Sequence, residues 1–322
     1  MSALLEVDAL HVELPGRGGY VTVVEELSYS VEPATVFGIA GESGSGKTMS
    51  TLALLGLLPR GAHVGGRARF GGTNLLGLGP RALRAVRGRQ IAMVFQDPMT
   101  ALHPMMNVGR QLTEHVRRHL GLPKREALER AKSLLEDVRI PDPEGALTSF
   151  PHQFSGGMRQ RIAIAAALAC EPRLLIADEP TTALDVTVQA GILRLLDDLR
   201  RERDLSVILI THDLGVMSSI ADRVAVMYAG RVVEAGARDE VLKRPRHPYT
   251  AALLRALPQP KTSKATPLVT IPGAPPSVEA VPAGCSFHPR CGYAVASCAH
   301  ELPPLVRDGE RIFACPVDPF AA

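Results

Sequence analysis

VFGIAGESGSGKTMSTLAL, residues 36–54, holds three pieces in order: a solid apolar run, a glycine-rich turn, and a run with helical spacing. A short apolar run bounded by glycine reads as a strand buried on both faces, and MSTLALLGLL, which follows the turn, reads as a helix. Strand, tight turn and helix open a βαβ unit, which demands a parallel sheet with helices on both faces. Solid runs of the same kind recur as IAMVFQ from Ile91, LLIAD at 174–178 and VILITHD from Val207, with the helical VQAGILRLLDDLRRE between the last two. Upstream, residues 4–14 and VTVVEELSYSV from Val21 alternate apolar and polar, predicting half-buried antiparallel strands at the N-terminus. The hairpin pattern VAVMYAGRVVEAG turns at Ala229-Gly230.

Between the strands the period changes. VGRQLTEHVRRHL from Val108 and KREALERAKSLLEDV from Lys124 are helical, and Pro141, Pro143 and Gly145 end that block. FSGGMRQRIAIAAALA then resumes as a helix, with Met158, Ile162, Ala165, Ala166 and Ala169 on one face. The expected fold is α/β: a core of residues 1–96 and 156–240 with a mainly parallel sheet and N-terminal antiparallel strands, a helical subdomain of residues 97–155 inserted into it, and a cysteine-containing C-terminal extension of residues 241–322. Seven prolines between Pro258 and Pro282 mark a connector inside that extension.

Composition excludes several classes. Hydrophobic residues make up 46% and charged ones 21%, with a net charge of +3, an ordinary globular balance with no basic surplus that points to nucleic acid. The longest apolar stretch, IAIAAALAC, is about half the roughly 20 residues of a membrane span, and the N-terminus lacks a signal-peptide pattern. A cytosolic protein is expected.

GESGSGKT, Gly41 to Thr48, fits G-x-x-x-x-G-K-[ST] and sits after a strand and before a helix, as that motif requires. Gly44 and Gly46 let the backbone curl so that the N–H groups of the loop, Ser43 and Ser45 included, face phosphates at a helix N-terminus. Lys47 reaches the β- and γ-phosphates, and Thr48 binds Mg2+. The complement is a buried strand ending in carboxylates, which LLIADE supplies: Asp178 holds Mg2+ through water, and Glu179 polarises the attacking water as general base.

At this point the residues resemble one family, the ATP-binding subunits of ABC transporters. FQDP with Gln96 and FSGGM with Ser155, Gly156 and Gly157 lie between the phosphate motifs; ALD with Asp185 and ITHD with His212 follow them. The resemblance covers roughly residues 4–240. It implies a head-to-tail pair of ATPase domains, each ATP lying between one subunit's phosphate loop, residues 41–48, and the other's Ser155-Gly156-Gly157 segment. It further implies that Gln96 touches Mg2+ or the attacking water, and that His212 contacts the γ-phosphate and holds Glu179 in place. The Ser155 segment has its own physics, since a serine ahead of two glycines opens a helix whose N–H groups and positive dipole end attract an anion.

FSGGMRQRIAIAAALACEPRLLIADEPTTALDVTVQA, FQDPMTALHP, RPRHPYT and PGAPPSVEAVPAGCSFHPRC also resemble the oligopeptide and dipeptide importer branch. That implies a subunit at the cytoplasmic face of the membrane, working with two transmembrane permease subunits, an extracytoplasmic substrate-binding protein and a second ATPase. Met158 stands where the family at large has Gln, which marks pairing with a non-identical ATPase. The aromatic that stacks on adenine in most members has its matching place near Leu14, with Tyr20 as the alternative. ATPases of nickel or glutathione importers are near-identical readings. A DNA-repair or chromosome-type ATPase of the same superfamily is the remote one, since the insert lacks sustained heptads and a basic run.

Five cysteines are present, four of them in the last forty residues: Cys285, Cys291, Cys298 and Cys315, spaced C-x5-C-x6-C-x16-C. These gaps are wider than paired zinc ligands usually show. Four thiolates on an irregular segment suit a [4Fe–4S] cluster, with Zn2+ as the alternative and disulfides or idle thiols as the remainder; a structural staple is the bland reading of such a centre. Some peptide-importer ATPases resemble this and carry such a cluster. Cys170 stands apart as a core residue.

Overall fold

The computed structural model describes residues 3–97, 101–182, 184–257 and 270–318. In chain order the strands are β1 (Leu5–Gly16), β2 (Gly19–Val31), β3 (Val36–Ala40), β4 (His63–Phe70), β5 (Thr73–Asn74), β6 (Ile91–Val94), β7 (Leu174–Asp178), β8 (Ser206–Thr211), β9 (Arg223–Tyr228), β10 (Arg231–Ala237), β11 (Val306–Asp308) and β12 (Arg311–Phe313). The helices are α1 (Lys47–Leu54), α2 (Pro80–Val86), α3 (Val108–Leu120), α4 (Lys124–Asp137), α5 (Pro143–Thr148), α6 (Gly156–Leu168), α7 (Val186–Glu202), α8 (Leu214–Ile220), α9 (Arg238–Lys243) and α10 (Pro248–Ala256). They fall into two compact units, one of Glu32–Thr35 with Gly77–Ile210 and one of Ala3–Val31, Val36–Leu76 and Thr211–Ala322.

In the unit built on residues 77–210, β6, β7 and β8 run parallel in that order, with Ile91 opposite Leu174 and Asp178 opposite Ile210. Every residue of β7 and β8 is buried, the solid pattern that a sheet covered on both faces requires. The helices form by ordinary signals. Asn107 caps α3 by accepting from the Arg110 N–H, and Gly121 ends it in the left-handed region at φ +71°. Leu112, Val116, Ala127, Ala131, Leu134 and Leu135 are all buried, each large aliphatic contributing about 1.5–3 kcal/mol. α6 buries Ile162, Ala163, Ile164, Ala165 and Leu168, more than the single face its sequence suggests, because its small side chains admit neighbours on several sides. Segment 32–35 joins this unit through hydrogen bonds from Ala34 N–H to Ser206 Oγ at 2.9 Å and from Val207 N–H to Thr35 O at 2.9 Å.

The other unit carries the N-terminal antiparallel sheet, β2-β1-β4-β5, with Leu5 opposite both Val31 and Phe70. It also carries the run β11-β12-β10-β9-β3, where β3 and β9 are parallel and the rest antiparallel. The C-terminal hairpin β11–β12 adds to β10, pairing Phe313 with Glu234. Beneath it Glu234, fully buried, accepts from the Arg311 guanidinium and from the N–H groups of Arg246 at 2.9 Å and His247 at 3.0 Å. Tyr228, Tyr249 and Phe287 form an aromatic cluster, with centroids 4.6–5.3 Å apart, so the cysteine segment has an apolar anchor.

Pro143 starts a helix instead of ending one. Asp142 caps α5 by accepting from the Gly145 N–H at 2.9 Å, with proline at the first turn where its missing N–H costs nothing. β4 escapes the alternation test because only Ala68 and Phe70 in HVGGRARF are buried. Of the proline-rich connector, residues 258–269 lie outside the described residues, and 270–282 form neither helix nor strand.

Candidate nucleotide site

The loop 41–48 joins β3 to α1 as the sequence requires. Gly46 stands at φ +95°, and a Cβ there would collide with the Val23 carbonyl oxygen; Gly41 is as tightly placed against the Met227 carbonyl. Only glycine fits either place. Lys47 is buried, and its Nζ donates to Gly41 O at 2.7 Å, Glu42 O at 2.9 Å and Ser45 Oγ at 3.5 Å. An ammonium folded back over its own loop beside an uncapped helix N-terminus is a cationic cradle, which fits phosphate. Ser43 and Gly44 are exposed on its rim, Ser45 is buried, and Thr48 is half-buried at the first turn of α1.

On the other unit, Asp178 ends β7 and is buried, while Glu179 is half-buried with φ +46°. A glutamate held in the left-handed region is the kind of backbone strain that collects at functional sites. Its N–H donates to Ile210 O at 2.9 Å, and its Oε2 accepts from Gln96 Nε2 at 3.1 Å and from Thr182 Oγ1 at 2.8 Å. Gln96 and Glu179, 83 positions apart, are thus brought together. Ser155 is exposed and caps α6, its Oγ accepting from the Met158 N–H at 3.4 Å; Gly156 and Gly157 form the first turn. Gly157 packs against Val188, which a Cβ would strike. Asp185 caps α7, its Oδ1 accepting from Thr187 N–H at 3.0 Å and Val188 N–H at 2.9 Å. His212 is exposed, one residue before Asp213, which caps α8.

Tyr20 stacks on His63 at 3.9 Å and is half exposed, lining a cavity of about 640 Å³ with Thr22 and Arg231. Leu14 is half-buried within β1.

Sequence reasoning missed three residues at the loop. Glu42 is paired with Arg290 through Nη1–Oε2 at 2.6 Å and Nη2–Oε1 at 3.0 Å, and its N–H donates to Tyr249 Oη at 2.9 Å. No local pattern links positions 248 apart. The acid at 42 is the visible signal, because a carboxylate inside a phosphate loop needs a cation elsewhere.

All five cysteines are free. Cys298 is buried, and Cys285, Cys291 and Cys315 are half-buried. Burial pushes the Cys315 thiol up to about 11, and the nearby Cys285, Cys291 and Cys298 push the same way, against a hydrogen bond from the Val317 N–H. Burial also raises Cys285 and Cys291, opposed by hydrogen bonds from the backbone of Phe287 and His288 and of Tyr293. Cys285, Cys291 and Cys315 each feel the charge of Cys298, and soft thiols receiving backbone N–H bonds are the right donor chemistry for iron or zinc. The expected metal centre is nevertheless not preformed: among the described residues no group of three or more His, Cys, Asp or Glu side chains converges to hold a metal ion. Electrostatic proximity is the weaker criterion, since charges act over distances well beyond a coordination bond. Cys170 is buried in the core.

A phosphate loop, an acid-tipped strand and a helix-opening Ser-Gly-Gly define a P-loop ATPase. Residues 24–182 match the family model of the ABC transporter, and residues 233–298 match that of the oligopeptide/dipeptide transporter C-terminal region. The chain is 48% identical over 304 residues to the oligopeptide transport ATP-binding protein OppD of Salmonella typhimurium, covering 94% of this chain and 90% of that protein. It is 47% identical over 309 residues to OppD of Bacillus subtilis, covering 95% and 86%. Among solved structures, CbiO1 from Clostridium perfringens, part of the ABC transporter complex CbiONQ, superposes with a TM-score of 0.65 at 27% identity, over 76% of this chain and 92% of that one. The fold is also that of the ATP-binding cassette MJ0796, with a TM-score of 0.65 at 24% identity, over 73% and 98%. The chain belongs to the ABC transporter family, among its oligopeptide and dipeptide transport ATP-binding proteins. It is an ATPase.

Proposed function

We propose that this ATPase powers the uptake of di- or oligopeptides across the cytoplasmic membrane. The observation that carries this is the 48% identity extending over 94% of the chain, beyond the ATPase motifs into the C-terminal region matched at residues 233–298. Among the described residues no helix is long and apolar enough to cross a membrane, so the path for substrate would come from two permease subunits. A binding protein delivers the peptide, and the chain sits peripherally on the cytoplasmic face beside a second, non-identical ATPase. Nickel or glutathione as cargo are the alternatives, decided by partners not on this chain.

The residue roles follow from chemistry. Backbone N–H groups of 43–48 and Lys47 bind the phosphates; Thr48, Gln96 and Asp178 would hold Mg2+, Asp178 through water. Bound Mg2+ would supply positive charge against the phosphates. Glu179 takes the proton of the attacking water, with Gln96 and His212 orienting it. Ser155, Gly156 and Gly157 of the opposing subunit close over the γ-phosphate, and Asp185 lines the same seam; within one subunit that anion site would face nothing. The boundaries 1–96 with 156–240, 97–155 and 241–322 are read as core, helical insert and extension. Cys285, Cys291, Cys298 and Cys315 are proposed to hold a [4Fe–4S] cluster, or Zn2+, as a staple for the extension.

Co-expression with the permease subunits and binding protein, followed by ATPase assay in liposomes, tests the transport reading. Stimulation by peptide-loaded binding protein is expected. Stimulation only by nickel or glutathione, or co-purification with DNA in place of membrane subunits, overturns it.

A further inference from the structure

The contacts that hold the phosphate loop converge on Glu42. Its N–H donates to Tyr249 Oη at 2.9 Å, its carbonyl accepts from Lys47 Nζ at 2.9 Å, and its carboxylate takes both arms of Arg290 at 2.6 and 3.0 Å. Arg290 is itself fixed, with Nε on Pro272 O at 2.9 Å, Nη1 on Tyr228 Oη at 3.2 Å, and a side chain only 6% exposed. A two-armed guanidinium–carboxylate pair is directional, and a buried one is screened little by salt.

Glu42 has no constructive contact to make with a phosphate, since a carboxylate facing a polyphosphate repels it. Left unpaired, its charge would oppose the nucleotide and compete for Lys47. Paired, it pins the first turn of the loop while Tyr249 fixes the amide direction. We propose that Arg290 is a positioning residue for the nucleotide loop. Acting through Glu42, it neutralises the loop's acid and sets its first turn, so that the C-terminal segment governs how tightly the chain holds MgATP. The proposal rests on the reading of residues 41–48 as the nucleotide loop. It differs from that reading in placing a determinant of affinity 248 positions away.

The test is titration of the full-length chain with Mg2+ and a fluorescent non-hydrolysable ATP analogue, with thermal melts on the same samples. Arg290→Gln is expected to weaken binding by about tenfold, the factor that one charge-assisted hydrogen bond carries. In a Glu42→Gln background the same change is expected to cost less than about threefold, because the acid it neutralises is gone. A purely structural Arg290 would lower both melts without this dependence on Glu42. Arg290→Lys keeps the charge but loses the second arm; it covers the case in which Arg290→Gln does not fold, and about threefold weakening is expected. Parent-like affinity in the folded Arg290 variants, or an equal loss with and without Glu42, overturns the proposal. If the parent chain binds no analogue, or Lys47→Ala binds as well as the parent, the nucleotide-loop reading itself falls, a result distinguishable from the others.

Discussion

Gln96 Nε2 and Thr182 Oγ1 donate to the same carboxylate oxygen of Glu179, at 3.1 and 2.8 Å. One donor comes from the end of β6 and the other from the turn after β7, so the carboxylate is oriented from two sides before any water reaches it. The left-handed backbone at Glu179, φ +46°, sets the direction from which its side chain leaves the strand.

Glu179→Gln keeps the size of the side chain and an oxygen that can accept from Gln96 and Thr182, and removes the base. ATP hydrolysis in the assembled transporter is expected to fall by about 10²–10⁴-fold, with ATP binding retained. Steady-state turnover and equilibrium binding on the same preparation check this, and near-normal turnover would remove Glu179 from the role of base.

The strands that face neighbours on both sides were legible in the sequence: VFGIA and LLIAD match β3 and β7 residue for residue, because a solid apolar run allows no other placement. α3 was equally plain, since Asn107 and Gly121 punctuate it. β4 was not, because a mostly exposed strand carries no alternation, and Gly65-Gly66 reads as a loop. In the site, Lys47, Asp178 and Glu179 follow from contiguous motifs. The Glu42–Arg290 pair does not, because long-range ion pairs leave no local period. Asp185 shows a further limit: its Oδ1 caps α7, a contact that its motif position does not announce.

The buried Glu234–Arg311 pair fastens the C-terminal hairpin to β10. Arg311→Met would leave the fully buried Glu234 with the N–H groups of Arg246 and His247 and no cation, at a cost of about 3–5 kcal/mol. Replacing both residues by Met is expected to cost less than the single change. Urea denaturation of the three chains measures the difference, and equal losses would mean that the charge of Glu234 is compensated from elsewhere.

His247 is fully buried, and burial pushes it from 6.5 down to about 3, with Nδ1 accepting from the Tyr249 N–H at 3.1 Å. Its folded pKa is below its unfolded one, so below pH 6.5 the unfolded chain binds a proton that the folded chain refuses. This contribution to stability is therefore complete above pH 6.5 and is lost as pH falls toward 3, at up to about 1.4 kcal/mol per pH unit. Unfolding free energies measured between pH 4 and 7 should show this slope. His247→Gln should flatten it, and an unchanged slope in that variant would assign the acid sensitivity to other groups.

Burial, and after it the neighbouring thiols, raise the pKa of Cys291 and Cys315, and Cys285 N–H donates to Cys298 O at 2.9 Å, tying those two stretches together. The four thiols are half-buried or buried and unpaired as disulfides, and the proposed metal, taking them as thiolates, would tie the irregular segment into a closed unit. Protein purified without oxygen is expected to contain about four irons and four acid-labile sulfides per chain, lost together in Cys291→Ser. Chelation should lower its melting temperature, because the staple is then removed from a segment with one short hairpin and few helical turns. One zinc without sulfide would keep the staple and change its chemistry to a four-thiolate site. Neither metal, with a melt indifferent to chelator, would make the aromatic anchor of Phe287 and the Glu42–Arg290 pair sufficient to hold the segment, and the four cysteines plain thiols.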